Sequence, residues 1–161
     1  MKDMLSGGMR RSDRQITELN DILAVLNRCD TLRLGINGEG YPYVVPVSFG
    51  YEALDGRVTL YFHGAGEGLK HELLARDPRV CAEADIMLGF RNTGHSLTCE
   101  YESVIGFGRA RRLEGAEVLH GLELLNAHCG YADFDMGDCV PMTTVYAVEL
   151  ESITGKRRRL K

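Results

Sequence analysis

Between residues 63 and 70 the chain reads His-Gly-Ala-Gly-Glu-Gly-Leu-Lys, a histidine, a glycine-rich bend and a lysine in close succession. Backbone amides at the start of a helix, flexible glycines and a lysine together make a phosphate cradle. Just ahead of the bend lie runs of small and aromatic residues, Tyr43 to Phe49 and Leu60 to Phe62, whose strand edges can line a flat ring. The chemistry implied is the holding of a phosphorylated, ring-bearing cofactor.

Other constellations are missing. No Ser-His-Asp set, pair of catalytic carboxylates or Walker loop can be assembled from local spacing, which fits a protein whose cofactor carries the chemistry. Five cysteines, Cys29, Cys81, Cys99, Cys129 and Cys139, form no close pairs, so they read as reduced thiols in a cytoplasm rather than as a disulfide framework. At strand positions, Cys81 and Cys99 read as small buried hydrophobes. The histidines at 63, 71, 95, 120 and 128 lack zinc-like spacing, and no metal site is expected.

Stepping outward, 161 residues with 44% hydrophobic and 26% charged content suit one soluble domain with a real core. A net charge of −4 gives no bulk signal for nucleic acid. No apolar run approaches the length of a membrane span, and residues 1–8 lack the apolar centre of a secretory signal. Residues 1–9 read as a disordered leader and 10–161 as a single domain. The basic run at 156–161 has two open readings, a solvated end or part of a site.

The elements that must position the bend follow from periodicity. Residues 18–28 form an amphipathic helix with Thr17 as its cap and Leu19, Ile22, Leu23 and Leu26 on one stripe. Strands are expected over 31–36, 41–51 and 57–63, with turns at Asn37-Gly38 and Asp55-Gly56. Pro42 and Pro46 should make the second strand bulge or lie at an edge. A short helix spans 68–76, a strand 79–86 and a loop 87–94. Residues 96–113 form two strands or one bent strand, 116–128 a helix, 130–141 a loop and 143–153 the last strand. Short turns force antiparallel pairing, and six or seven strands are best closed into a barrel with helices over its ends.

Four motifs in order carry a resemblance. They are Gly40-Tyr-Pro-Tyr-Val-Val-Pro-Val-Ser-Phe-Gly-Tyr51, Leu60-Tyr-Phe-His-Gly-Ala65 with Gly68-Leu-Lys70, Asp77-Pro-Arg-Val80, and Tyr101-Glu-Ser-Val-Ile-Gly-Phe-Gly108. With them the chain resembles the pyridoxamine 5′-phosphate oxidase-like flavoproteins, and within them the nitroimidazole-resistance (nitroimidazole reductase-like) branch. The resemblance implies a mainly β fold with helices, an antiparallel split β-barrel, binding FMN across a homodimer interface. It implies that Val45, Pro46, Val47, Ser48 and Phe49 lie along the isoalloxazine and that Phe62, His63 and Gly64 face the ribityl-phosphate side. Lys70 would grip the phosphate, and Ser103 and Val104 would approach the flavin, some of these contacts coming from the partner subunit.

Departures sharpen the expectation. The oxidase has an Arg-Lys pair where this chain has Leu69-Lys70, so His63 or Arg10 and Arg11 would have to supply the second charge. The oxidase's C-terminal Arg and His have no match, since no histidine follows His128, and tryptophan is absent throughout. Vitamin B6 oxidation is therefore not expected. The resemblance instead implies an FMN-dependent reductase of a small electrophile such as a nitroaromatic, with NAD(P)H as donor. His63 then stands as the candidate proton donor, against a plain reading as a satisfied strand-end histidine. The alternative is a flavin- or haem-binding sensor or carrier without turnover, in which His63 or His71 would be the axial ligand; a third is a decayed site on an intact fold.

Overall fold

The computed structural model describes residues 9–160 and, for Asp138 and Cys139, the backbone alone. The expected leader therefore lies, apart from Met9, outside the described residues. Eleven elements follow one another: β1 (Gln15–Ile16), α1 (Leu19–Leu26), β2 (Leu32–Ile36), β3 (Tyr43–Val47), β4 (Phe49–Leu54), β5 (Arg57–Gly64), α2 (Leu69–Arg76), β6 (Arg79–Asn92), β7 (Leu97–Arg112), α3 (Ala116–His128) and β8 (Thr144–Arg158). No helix among the described residues is long and apolar enough to cross a membrane.

All ladders are antiparallel, and the strands lie in the order β3-β2-β6-β7-β8-β5-β4, with β1 added to β8. The two outer strands of that path, β3 and β4, are consecutive in sequence and joined through Ser48 alone. The sheet thus curls back on itself as a split β-barrel. Its interior holds Leu26, Leu32, Leu34, Ile36, Phe49, Leu60, Phe62 and Val148, all fully buried. Each such side chain contributes about 2 kcal/mol of transfer free energy. α1 closes one end with Ile22, Val25 and Leu26, and α3 covers Tyr61, Val145 and Ala147 on the outside of β5 and β8. On the outward face of β2, β3, β6 and the first half of β7, Val44 is 59% and Ile105 39% exposed among the described residues.

Four sequence expectations are corrected. The strand expected over 41–51 is two strands: at Ser48 the pairing passes from β2, where Val47 opposes Leu32, to β5, where Phe49 opposes Phe62. The loop expected from Met87 is strand as far as Asn92, after a register shift between Met87 and Gly89. Thr17 does not cap α1: its hydroxyl turns to Glu18, and Ile16 is instead drawn into pairing with Gly155 because its side chain is buried there. The last strand runs beyond Ile153 to Arg158, since β7 offers it a partner as far as Tyr101.

That extension resolves the basic tail. Glu102 on β7 is fully buried, and Arg28, Arg157 and Arg159 all pair with its carboxylate, Arg159 at 3.0 Å. The amide of Leu160 donates to Glu100 at 2.6 Å. Arg157 and Arg159 are neither free in solvent nor gathered at the glycine-rich bend; they hold the end of β8 and the residues after it onto the barrel.

Candidate functional site: a cationic cleft at the end of β5

Alternation along β5 sends Phe62 into the barrel and turns His63 outward. The chain then bends through Gly64 and Gly66 and enters α2 at Gly68, whose φ of +122° few side-chain-bearing residues adopt. Leu73 and Leu74 anchor α2 in the core, which fixes the helix so that Lys70, one residue in, reaches back over the strand end. Its Nζ donates to the His63 carbonyl at 3.4 Å and stands 5.2 Å from the centre of the Phe62 ring. The space it occupies exists because residue 64 is glycine: a Cβ there would lie 2.8 Å from Nζ. Burial lowers the pKa of Lys70.

Behind the lysine, Tyr146 of β8 stacks on Phe62, with centroids 5.1 Å apart and planes within 5°. Its hydroxyl is 2.9 Å from His71 Nδ1 and can donate or accept according to the imidazole tautomer. On the far side of the bend lies Thr144, buried, its Oγ1 3.9 Å from where a Cβ on Gly66 would stand. The guanidinium of Arg112, the last residue of β7, donates to that hydroxyl at 3.5 Å. The glycine bend is therefore bracketed by Lys70 on one side and by Thr144 with Arg112 on the other.

Among the described residues neither Lys70 nor Arg112 forms an ion pair with a carboxylate. Partial burial and the charge of Lys70 lower the pKa of His63, although the residue keeps much of its surface in solvent. Burial and the charges of Lys70 and Arg112 lower that of His71, against a small opposing effect of a backbone hydrogen bond at Ala65. Both imidazoles are thus neutral donors and acceptors at neutral pH. Two cations without carboxylate partners among the described residues, neutral imidazoles and a glycine backbone are a donor set able to accept an anion of more than one charge.

The sequence-predicted residues do not all meet here. His63, Gly64 and Lys70 do, and Phe62 forms the wall. Phe49, Phe62 and Val104 have their side chains in the core, while Val45 and Val47 are half-buried against it, so these five offer a ligand little beyond backbone. Pro46 and Ser48 are exposed. Ser103 sits on the outward face, between Asp85 and Lys156 on the flanking strands. It is roughly 30 Å along β7 from Arg112. Arg11 pairs with Asp13 through two bonds of 2.6 and 2.7 Å. Arg11 is thus already engaged with a carboxylate, and the second cation that stands beside the bend is Arg112. No local motif marks that arginine; only the pairing of Arg112 with Tyr146 across β7 and β8 brings it in.

Cys81 and Cys99, expected as small buried hydrophobes, are half-buried on their strands, while Cys29 is buried and Cys129 exposed. Cys29, Cys81, Cys99 and Cys129 are free, and burial pushes the Cys29 thiol up to about 11 and raises that of Cys81, which makes both poor nucleophiles. Among the described residues no three His, Cys, Asp or Glu side chains are grouped to hold a metal ion.

A sequence model of the pyridoxamine 5′-phosphate oxidase family matches residues 18–157. The chain belongs to this family. A structure of a candidate 5-nitroimidazole antibiotic resistance protein from Bacteroides thetaiotaomicron is 32% identical, with 89% of this chain and 86% of that one covered at a TM-score of 0.79. This likeness sets the chain in the nitroimidazole-resistance branch. The flavocytochrome Anf3 of Azotobacter vinelandii (19% identity, 94% of this chain and 72% of that one, TM-score 0.73) shares the fold. So does a FAD-binding protein of Mesorhizobium loti (21% identity, 91% and 98% covered, TM-score 0.65). A search of curated proteins finds no match.

Proposed function

We propose that the protein is a homodimeric, FMN-dependent reductase of small electrophiles, nitroaromatics among them, working in the cytoplasm. The observation that carries the reading is Lys70, held by Gly64 and Phe62 over the end of β5 with no carboxylate partner among the described residues. A flavin phosphate matches that donor set in charge and in hydrogen-bonding capacity. The likeness to the nitroimidazole-resistance relative supports the substrate class.

Bound FMN supplies hydride or electron transfer, drawing on a donor such as NAD(P)H. The residues of this chain bind and orient. Lys70 Nζ, with the amides of the glycine bend, holds the phosphate. His63, neutral and partly exposed, can hold or pass a proton at a ring nitrogen. Pro46, Ser48 and Ser103 have exposed or half-buried side chains along strands whose backbone can follow a flat ring.

The dimer is supported by the spread of these groups. Ser103 lies midway along β7, whereas the Lys70 cleft sits by its last residue, Arg112, and the outward face carrying Val44 and Ile105 gives a second copy a place to bring its Ser103 to the first copy's Lys70.

The test is titration of the purified apoprotein with FMN, followed through flavin fluorescence, for wild type and Lys70→Met. Wild type should take up FMN, and K70M should weaken uptake at least tenfold, as expected for loss of a charge-assisted bond. The holoprotein should then bleach the nitro band of a 5-nitroimidazole with NADH or NADPH. Failure of wild type to take up FMN sinks the reading; a flavin that no donor and acceptor can cycle replaces the reductase with a carrier.

A further inference from the structure

We propose that Arg112 is the second cation of the phosphate grip and makes the cleft select the phosphorylated flavin over riboflavin. The inference rests on the FMN reading and adds to it the residue that sets its selectivity.

A phosphate monoester carries close to two negative charges at neutral pH. Lys70 alone offsets half of that, and Leu69 offers nothing. Arg112 and its neighbour Arg111 differ sharply in how they are engaged. Arg111 is committed to Glu117, with bonds of 2.8 and 2.9 Å, and approaches Glu149 at 3.8 Å. Alternation along the strand turns Arg112 the other way, where its one hydrogen bond among the described residues goes to the neutral hydroxyl of Thr144. That bond leaves most of the guanidinium's donors unspent.

Position agrees with charge. Thr144 is buried and opposes Gly64 across β5 and β8, so the group that steadies Arg112 is also the floor beneath the glycine bend. The charges of Lys70 and Arg112 both reach His71, which places the two cations around one imidazole. An anion seated on the bend therefore meets Lys70 from the helix and Arg112 from the strand end. Riboflavin has no group to meet either.

The experiment measures dissociation constants for FMN and riboflavin with wild type, Arg112→Met and Arg112→Gln, the last retaining a neutral donor toward Thr144 and serving if the methionine variant does not fold. The expected result is FMN affinity weakened roughly ten- to hundredfold, with riboflavin affinity unchanged. A second readout needs no flavin: the NMR titration of His71 in the apoprotein should move to higher pH when Arg112 loses its charge. An unchanged ratio of FMN to riboflavin affinity in a folded variant, or an unmoved His71 titration, overturns the proposal. Wild type that binds neither flavin overturns the FMN reading instead.

Discussion

His71 shows how one residue records its surroundings. Its folded pKa lies below the ordinary 6.5 because of burial and the charges of Lys70 and Arg112. The folded protein therefore takes up this proton less readily than the unfolded chain. The stability linked to it is complete above about pH 6.5 and is lost as pH falls below that value toward the folded pKa. His63 acts with the same sign. Urea midpoints measured at about pH 7.5 and 5.5 should differ less in His71→Gln than in wild type; an equal difference would show that His71 does not titrate this way. Glu102 carries the opposite chemistry. Burial pushes its pKa up, but the bonds from Arg28 and Arg157, with Arg159 close by, more than offset this and leave it lowered. Glu102→Gln leaves three arginines facing a neutral group, and urea unfolding should register a loss of about 2–3 kcal/mol, moderated by the exposure of the arginines.

Among the elements, β4 and α3 come into close contact at Gly50, where a Cβ would lie 2.5 Å from the Leu124 and Leu125 backbone. Backbone cannot swing aside as a side-chain tip can, so Gly50→Ala must push α3 off the sheet. A loss of about 2 kcal/mol, seen as a lower thermal midpoint, is the expected outcome. Elements were legible in the sequence where the signal is local. The run from β5 through the glycine bend to α2 is announced by alternation, glycines and a helical stripe, and with it came His63, Gly64 and Lys70. The break at Ser48 was not legible, because aromatic and β-branched residues continue across it unchanged and only the switch of partner from β2 to β5 divides it. β6 and β8 outran their expected ends for a related reason: a strand continues as long as a neighbour pairs with it, whatever its own composition. Arg112 and Thr144 stayed hidden because register, not spacing, sets them beside the bend.

At the scale of the whole molecule, the outward face is the feature that a second copy would cover. Ile105 lies at its centre, beside Ser103 and opposite Thr154. Ile105→Arg places a charge where the proposed dimer would bury apolar surface, and light scattering should find a dimer for wild type and a monomer for the variant. The same variant should lose FMN if the flavin is shared between copies, and a dimeric I105R with full FMN content would remove this face from the interface.

β8 has a consequence in time. It pairs with β1, β5 and β7, and all three precede it in the chain. During synthesis the hairpins β2–β3, β4–β5 and β6–β7 can form as they emerge, but nothing links β7 to β5 until β8 leaves the ribosome. The nascent chain must therefore wait with unburied apolar faces, a state that invites chaperone binding. β8 also brings Thr144 and Tyr146 to the cleft and Arg157 to Glu102. The capacity to bind and the capacity to stay folded arrive together, with the same strand.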